Sequence, residues 1–244
     1  MILKNFFGKN KRTNVPNTNG ILDKEQWKKG IDFEIEFWSS WFESKGLSWS
    51  QDYKNRLNKD LVLQSEFVDL LNCIKSVPSI LDVGAGPLTA LGKVMPDGTR
   101  VNLTAVDPLA KYYKSLLDQA NLSPLVETKY AEVERLDEFF SENQFDLVHM
   151  CNALDHCYDP LRGLFQMLKV VKRKSNVYLK HSSNEAEKEN YTGFHQWNIS
   201  CANGKFIFWN KTITIDVQKE IQNIGSCTFQ ELEGGWNKVV IKKL

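Results

Sequence analysis

The sequence predicts an α/β protein, a doubly wound and mostly parallel sheet preceded by a helical cap. Three observations predict it. β-type apolar runs alternate with helix-type segments between residues 79 and 181, and such alternation builds a parallel sheet with right-handed crossovers. Glycine-rich or acidic residues follow these runs, at the carboxyl ends where open α/β sheets receive ligands. Finally, two β-type runs flank Gly234-Gly235 and read as an antiparallel pair closing the chain.

Residues 1–20 carry Lys4, Lys9, Lys11 and Arg12 beside Phe6 and Phe7. The apolar stretch is too short for a signal peptide, so a flexible arm is expected there. A helical cap is expected over 21–77. Within it Phe33, Phe37 and Trp41 recur every four residues, as do Trp38 and Phe42, which puts them on adjacent stripes of one helix. That face can pack on the sheet or close over a ligand as a lid against water, and both readings stand. Gly46 is expected to end the helix. A second helix is expected over 60–76, with Leu61, Phe67, Leu70, Leu71 and Ile74 turned inward.

Strands follow near 79–83, 101–106, 125–130, 145–150 and 176–181, with helices near 88–94, 109–120, 133–140 and 160–171. Residues 182–210 break the alternation: Asn203-Gly204 is a two-residue hairpin turn joining 197–200 to 206–209, an inserted hairpin over the ligand face. A helix near 214–223 and strands near 226–232 and 236–243 complete a domain spanning 78–244.

The first strand, Ile80-Leu81-Asp82-Val83, runs into Gly84-Ala85-Gly86-Pro87-Leu88. Glycines there let the backbone bend at positive φ and approach a ligand closely, and a helix N-terminus after them would turn free N–H groups toward it. A dinucleotide fingerprint would have a third glycine where Thr89 stands. The second strand ends in Asp107-Pro108, 21 residues after Gly86, where a carboxylate can hold both hydroxyls of a ribose. Ala131-Glu132-Val133-Glu134 and the run from Phe145 to His156 complete the set.

With these four motifs in order, the chain resembles the S-adenosylmethionine (SAM)-dependent methyltransferases with a Rossmann-like fold, over about residues 78–181. The resemblance implies a seven-stranded sheet with a reversed C-terminal strand, and SAM as cofactor with S-adenosylhomocysteine as product. It places Gly84, Ala85 and Gly86 along the methionine part of SAM and Asp82 toward its ammonium. Asp107 and Pro108 come to the ribose, Glu132 and the Val133 amide to the adenine, and Cys151 and Asn152 near the sulfonium. Many members have a third glycine where this chain has Leu88.

All four histidines fall at or after a strand end. His149 reads as structural, inside the fourth strand. His156, His181 and His195 are candidates for a base or for positioning the methyl acceptor. No metal constellation is expected, because Asp155, His156 and Asp159 lack second partners in sequence. Asn184, Glu185, Glu187, Tyr191, Gln196, Trp197 and Asn198 would make a polar pocket with aromatic walls, suited to a sugar, a nucleotide or another small polar metabolite. A solvated loop is the plainer reading. Lys180, Lys205 and Arg162 would meet the phosphate of an anionic acceptor. This segment resembles inserts of bacterial methyltransferases associated with surface-polysaccharide biosynthesis.

The net charge of +1 gives no electrostatic case for a nucleic-acid partner. No run approaches the ~20 apolar residues of a membrane span. The five cysteines are odd in number and contain no C-x-x-C pair, which fits reduced thiols in a cytoplasmic protein, and Cys151 reads as a small packed residue. Two alternatives stand beside the methyltransferase reading. An NAD-dependent oxidoreductase would share the glycine turn and the ribose acid, and a non-catalytic SAM-binding module would share the whole set.

Overall fold

The computed structural model describes residues 22–72, 74 and 76–244, so the arm expected over 1–20 lies outside the described residues. The helices α1 (Lys24–Lys28), α2 (Ile31–Glu43), α3 (Ser50–Leu57) and α4 (Ser65–Leu71) precede the sheet. The alternating part consists of β1 (Ser79–Val83), β2 (Asn102–Val106), α5 (Ala110–Gln119), β3 (Thr128–Lys129), β4 (Phe145–Cys151), α6 (Pro160–Val170) and β5 (Val171–Ser182). Then come α7 (Glu185–Lys188), β6 (Asn198–Ser200), β7 (Ile207–Trp209), β8 (Thr214–Asp216), α8 (Val217–Ile221), β9 (Gly225–Leu232) and β10 (Trp236–Lys243).

The main sheet has seven strands in the order β3-β2-β1-β4-β5-β10-β9. Pairing is parallel from β3 through β5, and β10 runs antiparallel to both β5 and β9. This is the architecture expected, with the reversed pair turning at Gly234-Gly235. Chain order reverses where β1 meets β4, so the crevice at their carboxyl ends is where such a sheet binds ligands. Helices cover both faces, and β4 is accordingly apolar and buried along nearly its whole length. On one side α6 turns in Leu164, Met167, Leu168 and Val170; Asp159 caps it by accepting from the Arg162 amide, and Pro160 stands in its first turn. On the other, α4 packs Phe67 and Leu71 against Ile80, Leu147 and Tyr178. The cap joins α5 in a separate cluster of Trp41, Phe42, Tyr113 and Leu117.

The structure departs from expectation in five places. Phe33 and Phe37 stay exposed while Trp41 and Phe42 are buried, so only the C-terminal half of the aromatic stripe packs inward. The helix expected over 60–76 is shorter, and α3 lies before it. The third strand is only two residues long. Residues 214–216 form a third strand of the small sheet β6-β7-β8 in place of the start of a helix.

The fifth departure is the largest: no helix follows the glycine turn. The backbone groups a helix would use over 88–94 are taken by other partners. Arg56 donates to the Leu88 carbonyl at 2.5 Å, and the Gln64 amide donates to the Ala90 carbonyl at 2.9 Å and accepts from Gly92 N at 3.1 Å. The Lys93 amide meets Leu61 O at 2.7 Å, and Leu63 N meets Val94 O at 2.7 Å. Gly92 is what permits this approach, since a Cβ there would lie 2.3 Å from the backbone of Val62 and Leu63. Gly92→Ala must push the two segments apart. Its expected cost is about 2–3 kcal/mol, a fall in Tm of roughly 4–12 °C for a chain of this size. An unchanged melting curve would show that the clamp carries no stability.

Candidate active site

Over the carboxyl ends of β1 and β2, the backbone makes a cradle. Gly84 and Gly86 both sit at φ +64°. A Cβ on Gly84 would come within 2.5 Å of the Ala153 Cβ, and one on Gly86 within 2.6 Å of the Trp38 ring. Buried Ala85 lies between them. Asp107 fastens this turn: its carboxylate accepts from Gly86 N at 3.1 Å and from Leu109 N at 2.8 Å, with Pro108 between the two donors in the chain. Burial pushes the Asp107 carboxyl up to about 7, helped by the negative charge of Glu34 and opposed by its backbone donors. Asp82 is buried too and holds two partners, Thr89 Oγ1 at 2.5 Å and His149 Nδ1 at 2.7 Å. Thr89, which replaces the dinucleotide glycine, thus secures the Asp82 carboxylate together with His149 inside β4.

At the far side, Glu132 accepts from Lys24 Nζ at 2.6 Å, Tyr130 OH at 2.7 Å and Tyr158 OH at 3.2 Å. Burial works against its charge, but Lys24 and Tyr130 prevail and hold its pKa below the usual glutamate value. Val133 is buried at the start of a 3₁₀ segment, Val133–Glu138. Within that segment Glu134 accepts from the amides of Tyr158 at 2.9 Å and Asp159 at 3.3 Å, which pins the loop after β4. Cys151 ends β4, and burial pushes its thiol up to about 11, so it is no nucleophile at neutral pH. Asn152 follows in the left-handed region, with its side chain accepting from Ser182 N at 3.0 Å and tying β4 to β5.

Beyond Asn152 three ionisable residues come together. Asp155 is 2% exposed; its Oδ2 lies 2.8 Å from His195 Nδ1 and 3.5 Å from His156 Nε2. The two imidazoles are themselves 3.2 Å apart, Nε2 to Nδ1. This corrects the expectation that Asp155 and His156 lack a second partner: the chain brings His195 to them from 40 residues away. Burial opposes a charge on Asp155, but its pairing with His156 and His195 holds its pKa down to about 2. Burial likewise opposes a charge on His195, and Asp155 more than offsets it, so the pKa of His195 rises. His181 is fully enclosed at the end of β5, with no hydrogen-bond partner for either ring nitrogen. Burial lowers its pKa to about 4.

The polar pocket expected from the insert is largely spent on internal bonds. Gln196 donates to the carbonyls of Tyr191 and Gly193, Asn198 accepts from Glu187 N and donates to Tyr191 OH, and Trp197 is core. Of the basic candidates, Arg162 donates to Glu134 O and Lys180 lies over the Trp236 ring.

Of the cap, sequence reasoning singled out the aromatic stripe with Trp38 but not Trp27, Gly30 or Glu34. Trp38 covers Gly86, and its indole donates to Glu34 Oε1 at 2.7 Å. Trp27 donates to the His156 carbonyl at 2.7 Å and stacks on Phe194, which lies against Gly30. Cap and insert therefore meet directly over the loop after β4.

Residues 81–179 match the family described as methyltransferase domain. A candidate SAM-dependent methyltransferase from Methanococcus maripaludis has a similar structure, with 16% identity, 91% of this chain and 95% of that one covered, and a TM-score of 0.50. A SAM-dependent methyltransferase from Thermotoga maritima gives 11% identity, 89% and 100% coverage, and a TM-score of 0.49. No curated protein sequence matches the chain.

The positive-φ turn at Gly84 and Gly86, packed under Ala153 and Trp38, and the buried Asp107 carboxyl both suit an adenosine-bearing amino acid. The segment after the turn offers no helix N-terminus, the seat a dinucleotide pyrophosphate uses. The domain match makes the chain a methyltransferase. Among the described residues no helix is long and apolar enough to cross a membrane.

Proposed function

We infer that this cytoplasmic enzyme moves the methyl group of SAM to an oxygen or nitrogen of a small polar acceptor. A nucleotide-linked or sugar precursor of a surface polysaccharide fits the insert's resemblance. Bound SAM supplies an electrophilic methyl on a sulfonium. In this reading Gly84, Ala85 and Gly86 hold its methionine part and Asp107 with Pro108 its ribose. Glu132 and Val133 border the adenine, and Asp82, Cys151 and Asn152 complete the wall. The cap of residues 22–77 and the insert of 182–210 close over the pair and exclude water.

The observation that carries the acceptor side is the buried Asp155 carboxylate, paired with His195 and His156 two residues beyond the Ala153 that touches the glycine cradle. A neutral amine needs only orientation, whereas a hydroxyl must lose a proton, so this group favours an oxygen acceptor. His181, enclosed and lowered in pKa by burial, is the weaker base beside this group.

Calorimetric titration with SAM, S-adenosylhomocysteine and NAD in parallel tests the cofactor side. Saturable binding of the first two alone is expected. An assay of S-adenosylhomocysteine release over hydroxyl-bearing sugars and nucleotide sugars then tests the acceptor. NAD binding, or none by any of the three, would overturn the reading.

A further inference from the structure

We propose that Asp155, His156 and His195 form a site for one divalent transition cation of the zinc or cobalt type. This deepens the acceptor-side reading and rests on it. The three converging atoms are Asp155 Oδ2, His156 Nε2 and His195 Nδ1, with edges of 2.8, 3.2 and 3.5 Å. Ligand atoms about 2.0–2.2 Å from one metal stand roughly 3.0–3.5 Å from each other, so this triangle is already close to the size of a coordination face.

Protons alone serve the arrangement poorly. A ring nitrogen has one in-plane direction, occupied by a hydrogen or by a lone pair. His195 Nδ1 faces a carboxylate oxygen and a second imidazole nitrogen at once, and a single proton satisfies only one of them well. A cation in the middle satisfies all three.

Two further observations point to the same occupant. Asp155 is almost wholly enclosed, and its other oxygen, Oδ1, has no hydrogen-bond partner. A buried carboxylate needs a compensating charge, yet its recorded ion pairs are both with imidazoles, which are charged only when protonated. Outside the triangle, the Glu34 carboxylate stands 3.9 Å from His156 Nδ1, on the side where metal-bound histidines keep an outer carboxylate. Trp27 fixes the His156 backbone from the cap. Two imidazoles and one carboxylate suit zinc, cobalt or nickel better than magnesium or calcium. Three protein ligands leave an open position, and the acceptor oxygen is the group that would take it.

The test is titration of tag-free, chelator-stripped full-length protein with Co²⁺, followed by visible absorption, with Zn²⁺ as competitor. One equivalent of saturable binding is expected, displaced by Zn²⁺. His156→Ala/His195→Ala should weaken it by about 100-fold or more while SAM affinity is kept, the retained affinity reporting an intact fold. His156→Gln alone gives a milder second variant, with an expected loss of about tenfold. Absence of saturable absorption in the wild-type protein, or equal affinity in the double variant, would overturn the site. The function reading fails separately: methyl transfer by stripped protein with no cobalt bound would remove the cation and leave the enzyme, whereas cobalt bound without SAM affinity would do the reverse.

Discussion

Asp107→Ala is expected to weaken SAM binding by about 100-fold or more. Hydrogen bonds to a charged acceptor are worth about 1.5–3 kcal/mol each, and the ribose would bring two. The same carboxylate holds the amides of Gly86 and Leu109, so its removal also loosens the glycine turn. Asp107→Asn keeps the shape and one acceptor oxygen and isolates the charge. The pH dependence gives a second readout. Burial raises the Asp107 carboxyl to about 7, so the folded protein binds a proton there between the ordinary aspartate value and neutrality, where the unfolded chain does not. Stability from this group is therefore greatest at low pH and is lost as pH rises through about 7. Hydroxyl donors prefer the ionised form, so SAM affinity moves the other way. It should rise with pH up to about 7, by as much as tenfold per unit, and then level off. Calorimetry across that range checks both arms, and the slope should vanish in Asp107→Asn. A flat profile in the wild-type protein would remove Asp107 from the ribose.

The parts of this molecule that were legible in sequence are those decided by neighbours in sequence. The apolar β4 run, the Gly84 to Gly86 turn, the acid after β2 and the Gly234-Gly235 hairpin each carry their instructions within a few residues. The helix expected after the turn failed for a non-local reason: Arg56 and Gln64 reach the 88–92 backbone from 32, 26 and 28 residues away. Helical propensity is weak beside such competition. The site divides in the same way. Its proposed cofactor wall is local to the strand ends. Its proposed acceptor side depends on His195 meeting Asp155, and one partner of Glu132 is Lys24, 108 residues away. Trp38 was legible as a helix-face aromatic, but that this face covers Gly86 is fixed by cap docking.

His195→Ala should lower kcat by about 100- to 10,000-fold, the range for losing a positioned group that handles the acceptor's proton. SAM affinity should stay nearly unchanged, because the ring touches Asp155 and His156 and none of the groups in the glycine cradle. Asp155→Asn should cost a similar factor by uncoupling both imidazoles. The double variant should be scarcely worse than either single one, since groups acting as a unit are not additive. His181 supplies the contrast. With both ring nitrogens unpartnered and burial lowering its pKa to about 4, it is a weak proton acceptor. His181→Asn should therefore change kcat by less than about tenfold, though its enclosure makes a loss of stability the expected cost. The pattern is diagnostic because a role in packing and a role in proton handling predict opposite orders. If His181→Asn proves the more damaging to kcat in protein that still binds SAM, the proton leaves by way of the β5 end and not through Asp155 and His195. If none of these variants moves kcat, the acceptor is an amine that needs orientation alone, and the buried carboxylate must be explained by the cation it holds.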